Sequence, residues 1–438
     1  MKKIGRGLGL RALAGVLWVT LLGACAGGEE GGASGPAAEA QRYEWKLITT
    51  WPKNLPALGT APEKFAKLVD RMSNGRLKIK VYGAGELVGA FEVFDAVLAG
   101  DAEMGHGAAY YWRGKVPEAA FFTAVPFGLT AQEMNGWLYY GGGLELWQEL
   151  YAPFGLIPFP GGNTGTQMGG WFNKEIKTLA DVQGLRMRIP GLGGEVFQRA
   201  GGEPVAMPGG DMYTALQTGT IDATDWVGPY NDLAFGLHTV AEYYYYPGWQ
   251  EPGAVMETLV NQEAFEALPE DLQAIVEVAT RAINEDMLAE YTARNNAALR
   301  ELVNKHGVKV RAFPDDVLVR LREVSNEVLA EMGQASPMAE RIHASFTQFS
   351  KDVKAWTAIA EQGYLDARRA TDLPLGFLFK GLPGGPGQAP VGPGNPLRIK
   401  GPLVPHPGAG PALQGAIKAC CVLRFRDPQP HHCVKTDL

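Results

Sequence analysis

Between residues 43 and 372 the chain alternates two kinds of run: short ones with an apolar side chain at every second position, and longer ones in which apolar residues return every third or fourth. The first period belongs to a half-buried strand, the second to an amphipathic helix. Strands are predicted over 45–50, 77–82, 156–160, 168–172, 185–189, 205–207, 255–260 and 308–313, with helices between most of them. With short connections throughout, this predicts an α/β fold.

Two passages share one plan. Lys78-Ile79-Lys80-Val81-Tyr82-Gly83 leads to a helix through Phe91 and Leu98, then to Gly100-Asp101-Ala102-Glu103-Met104; Pro204-Val205-Ala206-Met207-Pro208-Gly209 leads to a helix through Tyr213 and Leu216, then to Gly219-Thr220-Ile221-Asp222-Ala223. In each, a Gly just past the helix supplies a left-handed cap and hands the chain to a new strand. The passages read as matching units of two lobes; two unrelated βαβ units would look similar, because the motif is common.

Residues 269–305 place Leu272, Ile275, Val276, Ala279, Ile283, Met287, Tyr291, Leu299 and Leu302 near one helical face. Residues 315–370 read likewise, with a break near 333–337. Helices of this length span more than one lobe or pack on a partner. After Leu373 the periodicity ends: 12 of the 30 prolines lie between Pro374 and Pro430, and a disordered tail is expected over 373–438. Its Cys420, Cys421, His431, His432 and Cys433 fit no zinc spacing well.

The N-terminus changes where this fold is expected to work. Lys2, Lys3, Arg6 and Arg11 precede an apolar stretch too short to anchor in a bilayer, so it reads as an export signal. It ends Leu22-Gly23-Ala24-Cys25, which resembles a lipobox and implies cleavage before Cys25 and lipidation on it. Residues 1–25 are then a lipoprotein signal peptide and 26–42 a flexible tether. No cysteine lies between Cys25 and Cys420, which excludes thiolate chemistry from the body. A formal charge of −7 without a Lys/Arg run excludes long-range attraction to nucleic acid or anionic lipid.

Candidate chemistry gathers at predicted strand ends. Thr224-Asp225-Trp226-Val227-Gly228-Pro229-Tyr230 and the run Glu242 to Glu251, with four consecutive tyrosines, combine acids and rings in the manner of a pocket for a small polar molecule. In the predicted strand 185–189, Arg186 and Arg188 precede a Gly-rich turn that opens a helix, a setting for a bidentate carboxylate contact. Alternation points both to one face, and the pattern does not choose between them. Tyr110, Tyr111 and Phe127 lie in first-lobe loops and, with Trp226 and Trp249, are candidates to cover an apolar ligand surface, although an aromatic ring is core by default. Asn163 offers a hydrogen bond or shapes a turn.

Four motifs, Gly184-Leu185-Arg186-Met187-Arg188, the stretch Gly209 to Ala223, Trp226-Val227-Gly228-Pro229-Tyr230 and Tyr244-Tyr245-Tyr246-Pro247-Gly248-Trp249, resemble those of the solute-binding subunit of tripartite ATP-independent periplasmic (TRAP) transporters. The likeness extends over most of residues 43–365. It implies a two-lobed, hinged, periplasmic-binding-protein-like α/β fold with long lobe-spanning helices and a C-terminal helix. Lobe I is then 43–165 plus about 254–293, lobe II 166–253 plus about 294–330, and 331–372 a C-terminal helical segment. The family's carboxylate-binding Arg corresponds to Arg188.

The last two motifs resemble the subgroup that binds 2-oxo monocarboxylates or lactate together with a cation. The resemblance implies cation ligands at Gln167, Asp225 with the Trp226 carbonyl, and Glu251, with Gln250 adjacent to the last. Asp225, Glu251 and a ligand carboxylate carry three negatives against one positive on Arg188, which favours calcium over sodium. Further implications are delivery to TRAP membrane permease subunits, a periplasmic or cell-surface location through the lipid anchor, and a homodimer formed through a C-terminal helix, for which 315–370 is the candidate. A secreted metal-dependent lyase or hydrolase would use the same Arg, acids and metal, yet the body offers only His106, His238, His306 and His343 as imidazole bases, none patterned with a strand-end acid. A ligand-sensing ectodomain is the other alternative.

Overall fold

The structure, a computed structural model, describes residues 41–371. Cys25, the tether up to residue 40 and the tail after 371 lie outside the described residues.

Eleven strands are described: β1 (Tyr43–Thr49), β2 (Leu77–Tyr82), β3 (Met104–Gly107), β4 (Leu156–Asn163), β5 (Gly170–Phe172), β6 (Arg186–Arg188), β7 (Glu203–Val205), β8 (Ala223–Thr224), β9 (Tyr243–Tyr246), β10 (Val255–Asn261) and β11 (Lys309–Ala312). They form two sheets, ordered β2-β1-β3-β10-β4 and β11-β9-β5-β8-β6-β7. In β1 the exposed Glu44 and Lys46 alternate with the buried Trp45 and Leu47, as a strand with one wet face requires. β10 is buried along nearly its whole length, because it lies between β3 and β4 with helices against the sheet.

The matching units are visible in the topology. β1 runs parallel to both β2 and β3, and β6 parallel to both β7 and β8, so each unit is a βαβαβ with its first strand in the middle. An antiparallel strand then flanks each: β10 beside β3, β5 beside β8. Gly100 and Gly219 occupy equivalent turns with φ of +78° and +71°. A Cβ at either position would meet nothing within 4 Å, so glycine is there for backbone conformation and not for space.

Ahead of the C-terminal helices three connections join the lobes: the segment after β4, the segment after β9, and the 35-residue helix Glu270–Asn304, which lies on β4 and on the helix Ala61–Met72 in one lobe and on the helix Pro229–Phe235 in the other. The first two run side by side, with Gly248 N–H to the Gln167 carbonyl (3.0 Å), Gln167 N–H to the Glu251 carbonyl (3.1 Å) and Thr164 N–H to the Ala254 carbonyl (3.0 Å). Among the C-terminal helices, Asp315–Met332 packs on the lobe II helix Gly191–Arg199, while Pro337–Ile359 returns to lobe I, where Phe346 meets Trp137 and Phe121. The break near 333–337 is present. A second break at Ala360, where ψ is −87°, divides what periodicity reads as one helix.

Candidate functional site

The carboxyl ends of four strands and two crossover segments converge on one small cavity. β1 hands the chain to Trp51, β3 to a 3₁₀ turn at Ala109–Trp112, β6 ends on Arg188, and β8 runs into Asp225 and Trp226. Strand ends at the edge of an α/β sheet leave groups free for a ligand. Gln167 comes from the first crossover and Glu251 from the second. Tyr110, Tyr111, Gln167, Arg188 and Trp226 line the cavity, and Trp51, Leu58, Val227 and Met256 form its apolar wall.

Arg188 is buried, with 2% of its side chain exposed, and its donors are spread over three partners. Nη1 donates to Asp225 Oδ1 at 2.7 Å, Nε to the Met207 carbonyl at 3.2 Å, and Nη2 to the Tyr111 hydroxyl at 3.3 Å, which carries the contact across the cleft. The guanidinium carbon sits 5.3 Å from the Trp226 ring, within cation–π range. Arg186, which alternation alone could not separate from it, sits at the opposite, amino-terminal end of β6 and forks onto Asp222, just ahead of β8, at 3.0 and 2.9 Å. An ion pair at the amino ends of the strands thus absorbs one arginine and leaves the other for the site.

The two acids are buried as well. Burial raises the Asp225 carboxyl above the ordinary carboxylate range against the opposing pull of Arg188; burial, then repulsion by Asp225, raises Glu251 as well. Gln167 donates its amide to Glu251 Oε2 at 2.6 Å, so Glu251 and not Gln250 meets it; Gln250 instead donates to the Met168 carbonyl at 2.9 Å. Gln167 Oε1 and Asp225 Oδ2 are buried acceptors without a hydrogen-bond partner. Orphaned oxygens beside two clustered acids fit a cation. Among the described residues no three His, Cys, Asp or Glu come together, so a cation here would complete its shell with amide and carbonyl oxygens, as hard ions do.

The candidates Phe127, Trp249 and Asn163 are not among the cavity's lining residues. Phe127 packs its ring on Trp249 at 5.9 Å and under Arg322 at 5.3 Å, because its N–H is tied to the Trp249 carbonyl behind the crossover. Asn163 is wholly buried; its oxygen accepts from Gly165 N–H at 2.8 Å and shapes the turn, while its amide nitrogen has no partner.

This geometry is that of a two-lobed receptor, and the comparison of sequence agrees: the family model DctP, bacterial extracellular solute-binding protein family 7, matches residues 47–335. The chain belongs to this family. It is a solute-binding protein of transport and not an enzyme. The chain is 45% identical to the monocarboxylate 2-oxoacid-binding periplasmic protein of Nostoc sp. over 320 residues, 73% of this chain and 87% of the relative. Two solved TRAP periplasmic solute-binding proteins are similar in structure. That of Pseudoalteromonas atlantica, with bound sodium and pyruvate, has a TM-score of 0.73 at 46% identity and covers 74% of this chain and 99% of its own. That of Colwellia psychrerythraea, with bound calcium and pyruvate, has a TM-score of 0.73 at 44% identity over 75% of this chain and all of its own.

Several site residues of this DctP-family chain escape the sequence patterns. Trp51 faces Trp226 and Tyr111, and its indole N–H donates to His106 Nδ1 at 2.9 Å. His106 in turn donates from Nε2 to the Gly161 carbonyl at 3.1 Å; burial lowers its pKa to about 4, so the ring is neutral. Asn231 accepts from the Trp226 indole at 3.2 Å and donates to the Pro56 carbonyl of lobe I at 2.5 Å. Asp232 accepts from Val227 N–H, Gly228 N–H, Trp171 and Tyr244, which pins the loop carrying Trp226. The helix-start signature of Pro229 with an acid in the first turn was the signal for Asp232. For Trp51 it was the matching units: it follows β1 as the site loop follows β6.

Proposed function

We propose that this protein captures a small 2-oxo or 2-hydroxy monocarboxylate of the pyruvate or lactate type together with a cation, calcium favoured over sodium, and delivers it to the membrane permease of a TRAP transporter. The observation that carries the reading is Arg188, a buried guanidinium at the lobe junction, set beside Glu251 and beside Asp225 and Gln167, whose orphaned Oδ2 and Oε1 suit a cation. In this reading Arg188 binds the ligand carboxylate, and Gln167, Asp225 with the Trp226 carbonyl, and Glu251 hold the cation. Tyr110 and Tyr111 close over the ligand from lobe I. Trp51, Leu58, Val227 and Met256 leave room only for a short alkyl group. The identities of 45% with a 2-oxoacid-binding relative and of 46% and 44% with pyruvate-bound neighbours support the ligand class; sodium in one neighbour and calcium in the other support a cation and leave charge counting to favour calcium.

The lobes divide at the two crossovers, as 43–165 with about 254–293 and 166–253 with about 294–330. Cys25 carries a lipid that holds the protein at the outer face of the membrane. Isothermal titration of pyruvate and lactate into chelated protein, with and without added calcium or sodium, tests the reading. Binding that needs calcium is expected; binding undiminished by chelation overturns the cation, and no binding of either acid overturns the ligand class.

A further inference from the structure

Tyr110 and Tyr111 reach the site from a short turn, Ala109–Trp112, and both ties holding that turn run to one strand. Before the tyrosines, Tyr110 N–H donates to Thr123 Oγ1 at 3.3 Å, and the Thr123 carbonyl accepts from Val255 N–H at 3.0 Å, the first residue of β10. After them, the Trp112 indole N–H donates to Glu257 Oε1, also on β10. In register, Glu257 stands opposite Gly107, the last residue of β3 before the turn.

Glu257 is wholly buried, and its second oxygen has no hydrogen-bond partner. With the neutral Thr258 it interrupts the apolar Val255-Met256 and Leu259-Val260 of β10, beside Phe94 and Trp112, whose rings lie 5.7 Å apart. A carboxyl in such a place is costly unless its acceptor serves a donor that would otherwise be stranded. That donor is the Trp112 indole, adjacent in sequence to Tyr111, which accepts from Arg188. Burial pushes the Glu257 carboxyl up to about 7 against Trp112 and the nearby Tyr151, so an amide at this position would present the same acceptor.

We infer that Glu257 is a positioning residue for ligand capture: through the Trp112 indole it holds the turn that presents Tyr110 and Tyr111 to Arg188 and Glu251. The inference rests on the proposed ligand site, and it is tested in a way that separates the two. Hydrogen exchange of the amides at 109–112 is followed by mass spectrometry in ligand-free wild type, E257Q, E257L, W112F and the E257L/W112F double variant. Pyruvate affinity at saturating calcium is measured on the same proteins.

Faster exchange in E257L and W112F is expected, with pyruvate affinity lowered about 10- to 100-fold, the range seen when outer partners of a binding group are removed. E257Q stays near wild type in both readouts, and the double variant loses no more than either single one, because both act through one hydrogen bond. Wild-type exchange at 109–112 in W112F or E257L overturns the inference, whatever the ligand proves to be. Loosened exchange with undiminished affinity also overturns it. Should E257L fail to fold, E257Q matching W112F in its losses has the same effect. A wild type that does not bind pyruvate counts against the ligand class alone, and the exchange comparison still decides the role of Glu257.

Discussion

Arg188 and Arg186 sit two residues apart on one strand, and only their neighbours separate them: Asp222 at the amino ends of the strands takes one, the cleft takes the other. R188A should therefore abolish ligand binding and also lower stability by about 3 kcal/mol, since removing one partner leaves Asp225 buried and uncompensated; calorimetric titration and urea unfolding read the two effects. R186A, on an exposed pair, should move stability by less than about 1 kcal/mol and leave binding alone. Glu257 has a folded pKa of about 7 against an ordinary value of 4.5. The folded protein thus holds a proton that the unfolded chain gives up; the stability this contributes is full below 4.5 and is lost as pH rises towards 7. In E257Q the fall of unfolding free energy between pH 5 and 7 should flatten, by up to about 1.4 kcal/mol per pH unit. Asp232 and the site acids keep some slope, because burial raises them too. An unchanged slope in urea unfolding would show that Glu257 does not titrate as described.

At the scale of elements, period and punctuation carried far. The predicted strand at 77–82 is β2 without change, and the expected helix at 269–305 is Glu270–Asn304, because long, strongly patterned runs leave little freedom. The short strands shifted: 205–207 was expected where β7 is Glu203–Val205, since a three-residue strand is placed by its neighbours in the sheet more than by its own residues. Both cap glycines were legible from composition alone. Gly100→Ala and Gly219→Ala should each cost about 1 kcal/mol, as a Cβ in the left-handed region does, with no steric addition because the space is open; a loss of several kcal/mol by chemical denaturation would mean these turns pack more tightly than they do here.

Across the whole molecule, two lobes meet at contacts that a hinge can make and break: Arg188 to Tyr111, Asn231 to Pro56, and Arg113, which donates to Glu195 at 2.6 Å across the cleft. Addition of pyruvate and calcium should lower the radius of gyration seen by X-ray scattering, with R188A unresponsive. Trp356, Ile359 and Tyr364 on the C-terminal helices are 67%, 78% and 65% exposed. Rings and branched side chains left in water suit a second copy. We expect light scattering to give twice the chain mass and W356E/I359E to give the single mass; a monomeric wild type at micromolar concentration removes the dimer.

The residue order determined the α/β pattern and the two matching units with their capping glycines, because each depends on local period or backbone freedom; the runs of adjacent residues that carry the family resemblance pointed to Arg188, Asp225, Gln167 and Glu251. Tertiary structure decided what draws Arg186 away from the cleft, that Phe127 packs on Trp249 and Arg322 and not on the cavity, and which partners Trp51, Asn231 and Asp232 meet around the site. Those assignments turn on groups that meet from 12 positions apart, as Asp232 and Tyr244, to 195 apart, as Phe127 and Arg322, and burial and hydrogen bonding between such partners leave no period to read.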